Sequence, residues 1–395
     1  MLRSLYSGIS GLRAHQTMLD VTGNNIANVN TQGFKASSVE FQDTLSQMTK
    51  GASAPTSASG GSNPAQVGLG VQVAGITTNF TQGSSQATGK ATDMMISGDG
   101  FFVVQQGGET LYTRAGSLGQ DAQGRLVTPD GALVQGWPAD ANGVVANGGP
   151  VGSITLSTQS LAPATATSSA TVTGNLPSDA AKDTTVTQDI QVFDATGNAK
   201  TVTLTFKATG VGGGWGVTAT DDKNTVLSTG SVSFTNGPAA SGSNQMSVGG
   251  VTVELGAVTG YAKLSTVTAK ADNGGLAGTL ESFTLSKDGT IVGSFSNGTK
   301  QAVGQIALAS FANPGGLEKA GSSSYRASAN SGAATLGVAG SAGMGTLVAG
   351  SLEMSNVDLS QEFTNLIVAQ RGFQANARVI TTSDTVLQEL IDLKR

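Results

Sequence analysis

Large apolar residues recur at alternating spacings of three and four near both ends of the chain. The pattern covers residues 2–19 and residues 359–391. Such spacing places the side chains on one face of a helix. Each face is narrow and carries polar positions, Gln16 in the first and Gln370 and Asp384 in the second. One helix alone cannot bury such a face, so the pattern predicts two terminal helices that pack against helical partners.

The region between the predicted helices has the patterns of strands and turns. An asparagine-rich segment, residues 24–35, leads out of the first helix. Residues 36–66 then lose all periodicity and become rich in Ser, Ala, Gly, Thr and Pro, which predicts a linker. From residue 67 onward, short apolar runs are separated by Gly and Asp-Gly turns, which predict hairpins.

A second β-rich region follows the first. Residues 186–192 and 202–206 alternate between apolar and polar on either side of the turn sequence 194–198, which predicts a hairpin with one buried face. Further short alternating segments at similar spacing favour a small barrel or sandwich. Strand patterns resume at residues 283–311, and we expect this segment to rejoin the first β domain.

The chain is therefore predicted to be mixed but mainly β, with two barrel-like or sandwich-like β domains nested along an out-and-back path. This path brings the terminal helices together as an antiparallel, coiled-coil-like pair. The predicted divisions are a helical domain at 1–30 and 356–395, linkers at 31–66 and 332–355, an inner β domain at 67–150 and 278–331, and an inserted outer β domain at 151–277.

Several separated motifs occur in an order that resembles the flagellar rod and hook family. They lie at residues 19–35, 96–104, 112–116, 311–317 and 353–358, with a further motif at 369–376. Hook proteins are the most similar members, because rod proteins lack a long central insertion. Phe373, Leu118 and Met95 stand where the family usually has Tyr, Phe and a small residue.

The resemblance implies an inner tube of terminal helices, a middle β layer, and an outer β domain whose contacts slide as the tube turns. It also implies that a segment like 36–66 is a spacer that orders on assembly, the alternative being a flexible tether. The residues expected at contacts between subunits are Leu5, Ile9, Leu12, Leu19, Asn24, Asn25, Ile26, Asn28, Asn30, Gly33, Phe34, Phe363, Leu366, Gln370, Phe373, Ala377, Ile380, Leu387 and Ile391.

Composition narrows the classes of function. Only 12% of the 395 residues are charged, which is about half the usual share. Glycine, with 56 residues, has about twice its usual share. A weakly charged surface suits a subunit covered by copies of itself. The net charge of -5 and the absence of a Lys/Arg cluster argue against nucleic acid as a partner. No apolar run is long enough for membrane insertion.

The sequence offers no candidate for catalysis. The chain has no Cys and a single His, so it lacks the residues for a thiolate site, a two-histidine metal site or a positioned Ser-His-Asp base. Its glycine-rich pieces lack the Lys-Ser/Thr of a phosphate loop. We therefore expect no enzyme activity and no catalytic, cofactor-binding or metal-binding residues.

The interpretation is a structural subunit of the bacterial flagellar hook, which self-assembles into a curved flexible tube between rod and filament and transmits motor torque. The alternatives are a distal or proximal rod subunit and, from another class, a secreted β-rich adhesin or binding module. The expected partners are further copies of the chain and, by resemblance, rod subunits, the hook cap, hook-filament junction proteins and the flagellar type III export apparatus. Since the N-terminus lacks the apolar core of a secretory signal, export to the extracellular flagellum is expected without cleavage.

Overall fold

The computed structural model describes residues 2–55, 60–157, 161–210, 213–234, 237–239, 245–341 and 343–392. Two long helices lie near the ends, α1 at Leu2–Ala27 and α2 at Leu359–Asp392. The start of α2 is capped by Asp358, whose Oδ1 accepts hydrogen bonds from the backbone N–H groups of Ser360 (2.8 Å) and Gln361 (3.2 Å). An aspartate at this position satisfies donors that have no partner within the helix.

In the described residues between the helices, the regular elements are strands, apart from one short 3-10 turn. In chain order they are β1 Ser37–Asp43, β2 Ser46–Lys50, β3 Ala65–Gly68, β4 Val71–Thr78, β5 Ser85–Ala87, β6 Met94–Ser97, β7 Phe101–Gln106, β8 Glu109–Thr113, β9 Gly119–Gln120, β10 Leu126–Val127, β11 Leu133–Pro138, β12 Gly152–Ser153, β13 Leu161–Ala162, β14 Ser169–Asn175, β15 Thr185–Phe193, β16 Ala199–Ala208, β17 Trp215–Thr220, β18 Val226–Val232, β19 Gln245–Val248, β20 Val251–Thr259, β21 Thr268–Ala271, β22 Gly278–Leu285, β23 Thr290–Phe295, β24 Lys300–Ser310, β25 Glu318–Gly321, β26 Ser324–Arg326, β27 Thr335–Val338, β28 Thr346–Ala349 and β29 Ser351–Glu353. One 3-10 turn occupies Pro314–Gly316.

Within the region predicted to be a linker, 36–66, the described residues include β1, β2 and the start of β3, which belong to a two-part β ribbon. Strand β1 pairs antiparallel with β4, and β2 pairs antiparallel with β3. The ribbon runs back along α1, because Ser37 is bonded to Asn25 at one end and the N–H of Val71 donates to Oγ of Ser10 (3.2 Å) at the other. The strands β1, β2 and β3 are largely exposed, and only short apolar alternations such as Val39 and Phe41 around Glu40 mark them in the sequence.

The inner β body is built from a 13-stranded sheet that combines strands from both directions of the chain. Strands β7, β8 and β11 come from the outgoing path, and β22 to β27 from the return. The long central strand β24 pairs with β11, β7, β23 and β27. Apolar side chains of the described residues form three clusters within this body, one around Phe102 and Ile306, one around Phe101 and Tyr325, and a small one around Leu280 and Phe295.

The outer β body is a sandwich of two four-stranded sheets. One sheet has the order β15-β16-β17-β18 and the other β19-β20-β14-β21. They enclose a single core that includes Phe206, Trp215 and Leu255. The hairpin predicted around residues 194–198 is present, since Phe193 and Ala199 are register partners across that turn.

The return path also contains strands where a linker was predicted. Strand β27 pairs with β24, β28 with β6, and β29 with β5. These strands are three or four residues long, and their partners lie far away in the sequence. The predicted fold class is confirmed: a mainly β chain with two nested β bodies and two terminal helices packed against each other.

Candidate assembly surface

The two terminal helices form an antiparallel pair through most of their length. As residue numbers increase along α1, the residues that they contact in α2 have decreasing numbers. The hydroxyl oxygens of Ser4 and Ser383 are 3.5 Å apart, and Nδ2 of Asn25 donates to Oε1 of Glu362 at 3.1 Å. Between these contacts the paired positions are Gly8 with Ile380, Gly11 with Asn376, and His15 with Gly372.

Glycines allow the two helices to approach closely. A Cβ added to Gly11 would lie 2.7 Å from Oδ1 of Asn376, and one added to Gly372 would lie 2.4 Å from Nε2 of His15. Gly23, on the exposed side of α1, would meet nothing within 4 Å. The contact therefore depends on small residues at particular positions and not only on large apolar side chains.

The centre of the helix contact differs from the apolar face that the sequence predicts. The buried residues of the two helices are Gly8, Gly11, Ala14, Thr22, Asn25 and Ala369. The predicted positions that are half-buried beside them are Leu5, Ile9, Leu12, Leu19, Leu366, Phe373, Ala377, Ile380 and Leu387. Those that are exposed are Phe363, Gln370 and Ile391. Most of the large apolar side chains border the contact, whereas Ile380 lies within it, because a Cβ built on Gly8 would be 3.2 Å from its Cγ1.

The helix α2 consequently carries many large apolar side chains that this chain does not cover. Phe363 is 50% exposed and Ile391 is 67% exposed. Further exposed apolar residues along the same helix are Leu359, Ile367, Val368, Val379, Val386 and Leu390. A groove of about 460 Å³ lies on the other side of the pair, between α1 and the ribbon, and Ile9, Leu69 and Val73 are among its lining residues.

The asparagine-rich exit from α1 contributes a buried part and an exposed part. Asn25 is only 1% exposed, and its side chain bonds to both the N–H (3.0 Å) and the C=O (2.8 Å) of Ser37. Gly33 is buried at φ +66°, and a Cβ there would lie 2.6 Å from the backbone N of Ala115. Both residues were expected at contacts between subunits, but burial within this chain makes them supports of its own fold.

The other exit residues that were expected at contacts between subunits lie nearer the surface. Asn24 and Asn30 are exposed, while Ile26, Asn28 and Phe34 are half-buried. Nζ of Lys319 lies 5.3 Å from the centre of the Phe34 ring, a cation–π distance, and donates to Oγ of Ser37 (2.8 Å). Burial lowers the pKa of Lys319 below its usual value. This lysine therefore ties the exit segment to the β25–β26 hairpin.

The sole histidine contributes to packing in this structure. Its ring fits against Gly372 and lies 6.2 Å from the ring of Phe41. Within the described residues, no three His, Asp or Glu side chains are grouped so that they could hold a metal ion. Neither described helix is long and apolar enough to cross a membrane.

Family profiles match the chain in three places. A profile described as flagella basal body rod protein matches residues 5–35. The flagellar hook protein FlgE/F/G D1 domain matches residues 95–205, and the flagellar basal body rod FlgEFG protein C-terminal region matches residues 348–393. The first and last profiles together contain nearly all of the helix pair.

Whole-length relatives decide the family. The chain is 41% identical to the flagellar hook protein FlgE of Borreliella burgdorferi over 100% of both chains, and 36% identical to that of Escherichia coli over 98% of both. The chain belongs to the flagellar hook protein family. It is thus a structural subunit of the hook, a homopolymeric part of the bacterial flagellum outside the cell.

Other similarities lie within the wider family of flagellar rod and hook proteins. The fold is similar to the crystal structure of Helicobacter pylori flagellar hook protein FlgE2, with a TM-score of 0.50 at 13% identity, covering 66% of this chain and 98% of that chain. The flagellar basal-body rod protein FlgG of Bacillus subtilis is 35% identical over 100% of both chains. The hook interpretation is confirmed, and relatives of this kind leave the adhesin alternative without support.

Proposed function

We propose that copies of this hook protein assemble through the exposed sides of the α1–α2 pair. The tube they form is curved and flexible, joins the rod to the filament, and transmits torque. The observation that carries this proposal is the number of large apolar side chains along α2 that the chain leaves uncovered. Single exposed apolar residues are ordinary, but a long series on one helix is typical of an interaction surface.

The energetics favour association of copies at this surface. Fully burying one Phe, Leu, Ile or Val side chain contributes about 1.5–3 kcal/mol. Phe363 and Ile391 are still at least half exposed, so each retains about half of that contribution for a contact with another copy. Summed over the exposed positions of α2, this exceeds what a surface pair of charges would supply.

The outer β body suits a contact that changes as the tube turns. Its ion pairs are exposed: Lys200 with Asp194 at 3.8 Å and Lys207 with Asp183 at 2.9 Å. Exposed pairs contribute only about 0–1 kcal/mol, so few strong interactions have to break when neighbouring copies shift. Cryo-electron images of bent hooks in which outer-body contacts were identical around the circumference would contradict this part.

The same function implies contacts with other flagellar proteins. A tube between rod and filament contacts rod subunits at one end and hook-filament junction proteins at the other, and the hook cap during growth. We also propose that the chain leaves the cell through the flagellar type III export apparatus without cleavage of a signal. Mass spectrometry of the N-terminus of protein taken from assembled hooks tests this directly, since cleavage would shorten it.

The assembly surface is tested by Phe363→Asp. The side chain is half exposed, so the monomer should fold as the wild type does. Assembly would then have to desolvate an unpaired carboxylate at every contact between copies. We expect electron microscopy of concentrated protein to show no tubes.

The matched control is Val144→Asp, which introduces the same charge at a 62% exposed apolar residue in the inner β body. This variant should form tubes like the wild type. Equal assembly of the two variants would contradict the proposal, because the exposed face of α2 would then not be the principal contact.

A further inference from the structure

Three charged residues from distant parts of the chain meet in a buried cluster. Lys35, Arg114 and Glu353 are at most 2% exposed. Nζ of Lys35 lies 2.6 Å from Oε1 of Glu353, and a guanidinium nitrogen of Arg114 lies 3.4 Å from Oε2. The shorter distance makes the lysine the tighter partner, while the arginine is held mainly by charge.

Each member of this cluster belongs to a different structural unit. Lys35 ends the exit from α1 and lies two residues before the ribbon. Arg114 follows β8 in the inner β body. Glu353 is the last residue of β29, five residues before the cap of α2. The cluster is therefore the point at which the helix pair, the ribbon and the inner β body join.

Glu353 makes more of these connections than either cation. Its backbone C=O accepts from the N–H of Gly33 (2.8 Å), and its Oε1 also accepts from the N–H of Gly83 (2.9 Å). Lys35 in turn donates to the C=O of Thr81 (2.7 Å). One carboxylate thus holds both the outgoing chain and the start of the β body.

Without this carboxylate neither buried cation has an ionic partner in the ranges that the structure describes. Burial lowers the pKa of Lys35, and the hydrogen bond and charge of Glu353 oppose that effect. Arg114 lies 5.5 Å over the Phe101 ring, and its Nε has no hydrogen-bond partner among the described residues. In the described part of the chain, Glu353 is the one carboxylate that pairs with either cation. Removing it would leave two buried positive charges.

We propose that Glu353 is a positioning residue that couples the ordering of the two ends of the chain. The exit from α1 and the base of the ribbon dock on the inner β body only when β29 has brought Glu353 between the two cations. Until then, docking would bury Lys35 and Arg114 unpaired, which is strongly unfavourable. The N-terminal segment therefore stays undocked until the last part of the chain has joined the fold.

The test is hydrogen exchange on the full-length monomeric protein with Glu353→Gln. Glutamine keeps the size and one acceptor oxygen but removes the charge. We expect amides in residues 31–38 and 351–357 to exchange about a hundredfold faster than in the wild type. Amides in the strands β7, β16 and β24 should keep their protection.

The matched control is Glu109→Gln, which removes the same charge from an exposed pair with Arg326. We expect changes within about threefold there. In the double variant Lys35→Met/Glu353→Gln, part of the protection should return, because one of the two unpaired cations is gone.

Each outcome decides the proposal. Wild-type exchange at residues 31–38 in Glu353→Gln would overturn it, and so would a loss of protection spread evenly over both β bodies. If Glu353→Gln fails to fold while the double variant folds, the unpaired cation is the cause and the proposal stands. Failure of both variants to fold would overturn it.

Discussion

The close approach of α1 and α2 at Gly372 leads to a sharp prediction. Replacing Gly372 by Ala would place a methyl group 2.4 Å from Nε2 and 2.5 Å from Cε1 of His15. An imidazole ring is rigid, and this one lies between Gly372 of α2 and the ribbon residue Phe41. The helices must therefore move apart or the ring must leave its position.

The change in the free energy of unfolding caused by Gly372→Ala has two opposing contributions. Glycine to alanine in a helix interior gains about 0.8–1.0 kcal/mol of intrinsic helix propensity. Overpacking a tight contact costs about 1–3 kcal/mol. Gly372→Ala should therefore be destabilising by up to about 2 kcal/mol. Gly23→Ala in α1 has the same gain in helix propensity and no overpacking, because nothing lies within 4 Å of the added Cβ. It should be stabilising by up to about 1 kcal/mol.

Hydrogen exchange of amides in the helix pair measures the difference between the two variants. Tube formation by electron microscopy gives a second readout, because splayed helices would present their outer faces wrongly to other copies. The double variant His15→Ala/Gly372→Ala should recover much of the lost protection, since the smaller side chain leaves room for the methyl group. Equal effects of Gly372→Ala and Gly23→Ala, or no recovery in the double variant, would refute the close contact.

Two further predictions concern the β bodies. Burial raises the pKa of Tyr325 to about 12, so between its usual value of 10 and about 12 the unfolded chain loses a proton that the folded chain keeps. The free energy of unfolding should fall across that pH window by up to about 2.7 kcal/mol, and denaturant melts of Tyr325→Phe should lack this part of the fall. Ala162 and Gly278 are register partners, so replacing residues 163–277 with a two-residue turn should remove the outer body. Calorimetry should then show the melting transition of the inner body unchanged. Loss of that transition would mean that the two bodies are not independent.

The sequence by itself determines the elements that depend on local patterns. The three-four spacing of apolar residues identifies both helices because helical geometry repeats every 3.6 residues. The alternation on either side of residues 194–198 identifies the hairpin, and Asp194 begins its turn by accepting from the N–H groups of Thr196 and Asn198 (2.9 Å each). In each case the residues that produce the signal are close together in the chain.

The tertiary structure decides which faces meet and which distant residues join. Hydrophobic periodicity follows large side chains, whereas α1 and α2 touch through Gly11 and Gly372, which give no such signal. The exposed ribbon strands are stabilised by backbone pairing, to which any residue except proline can contribute, so their composition resembled that of a linker. Lys35 and Glu353 are 318 positions apart, and only the out-and-back path of the chain places both in one buried cluster.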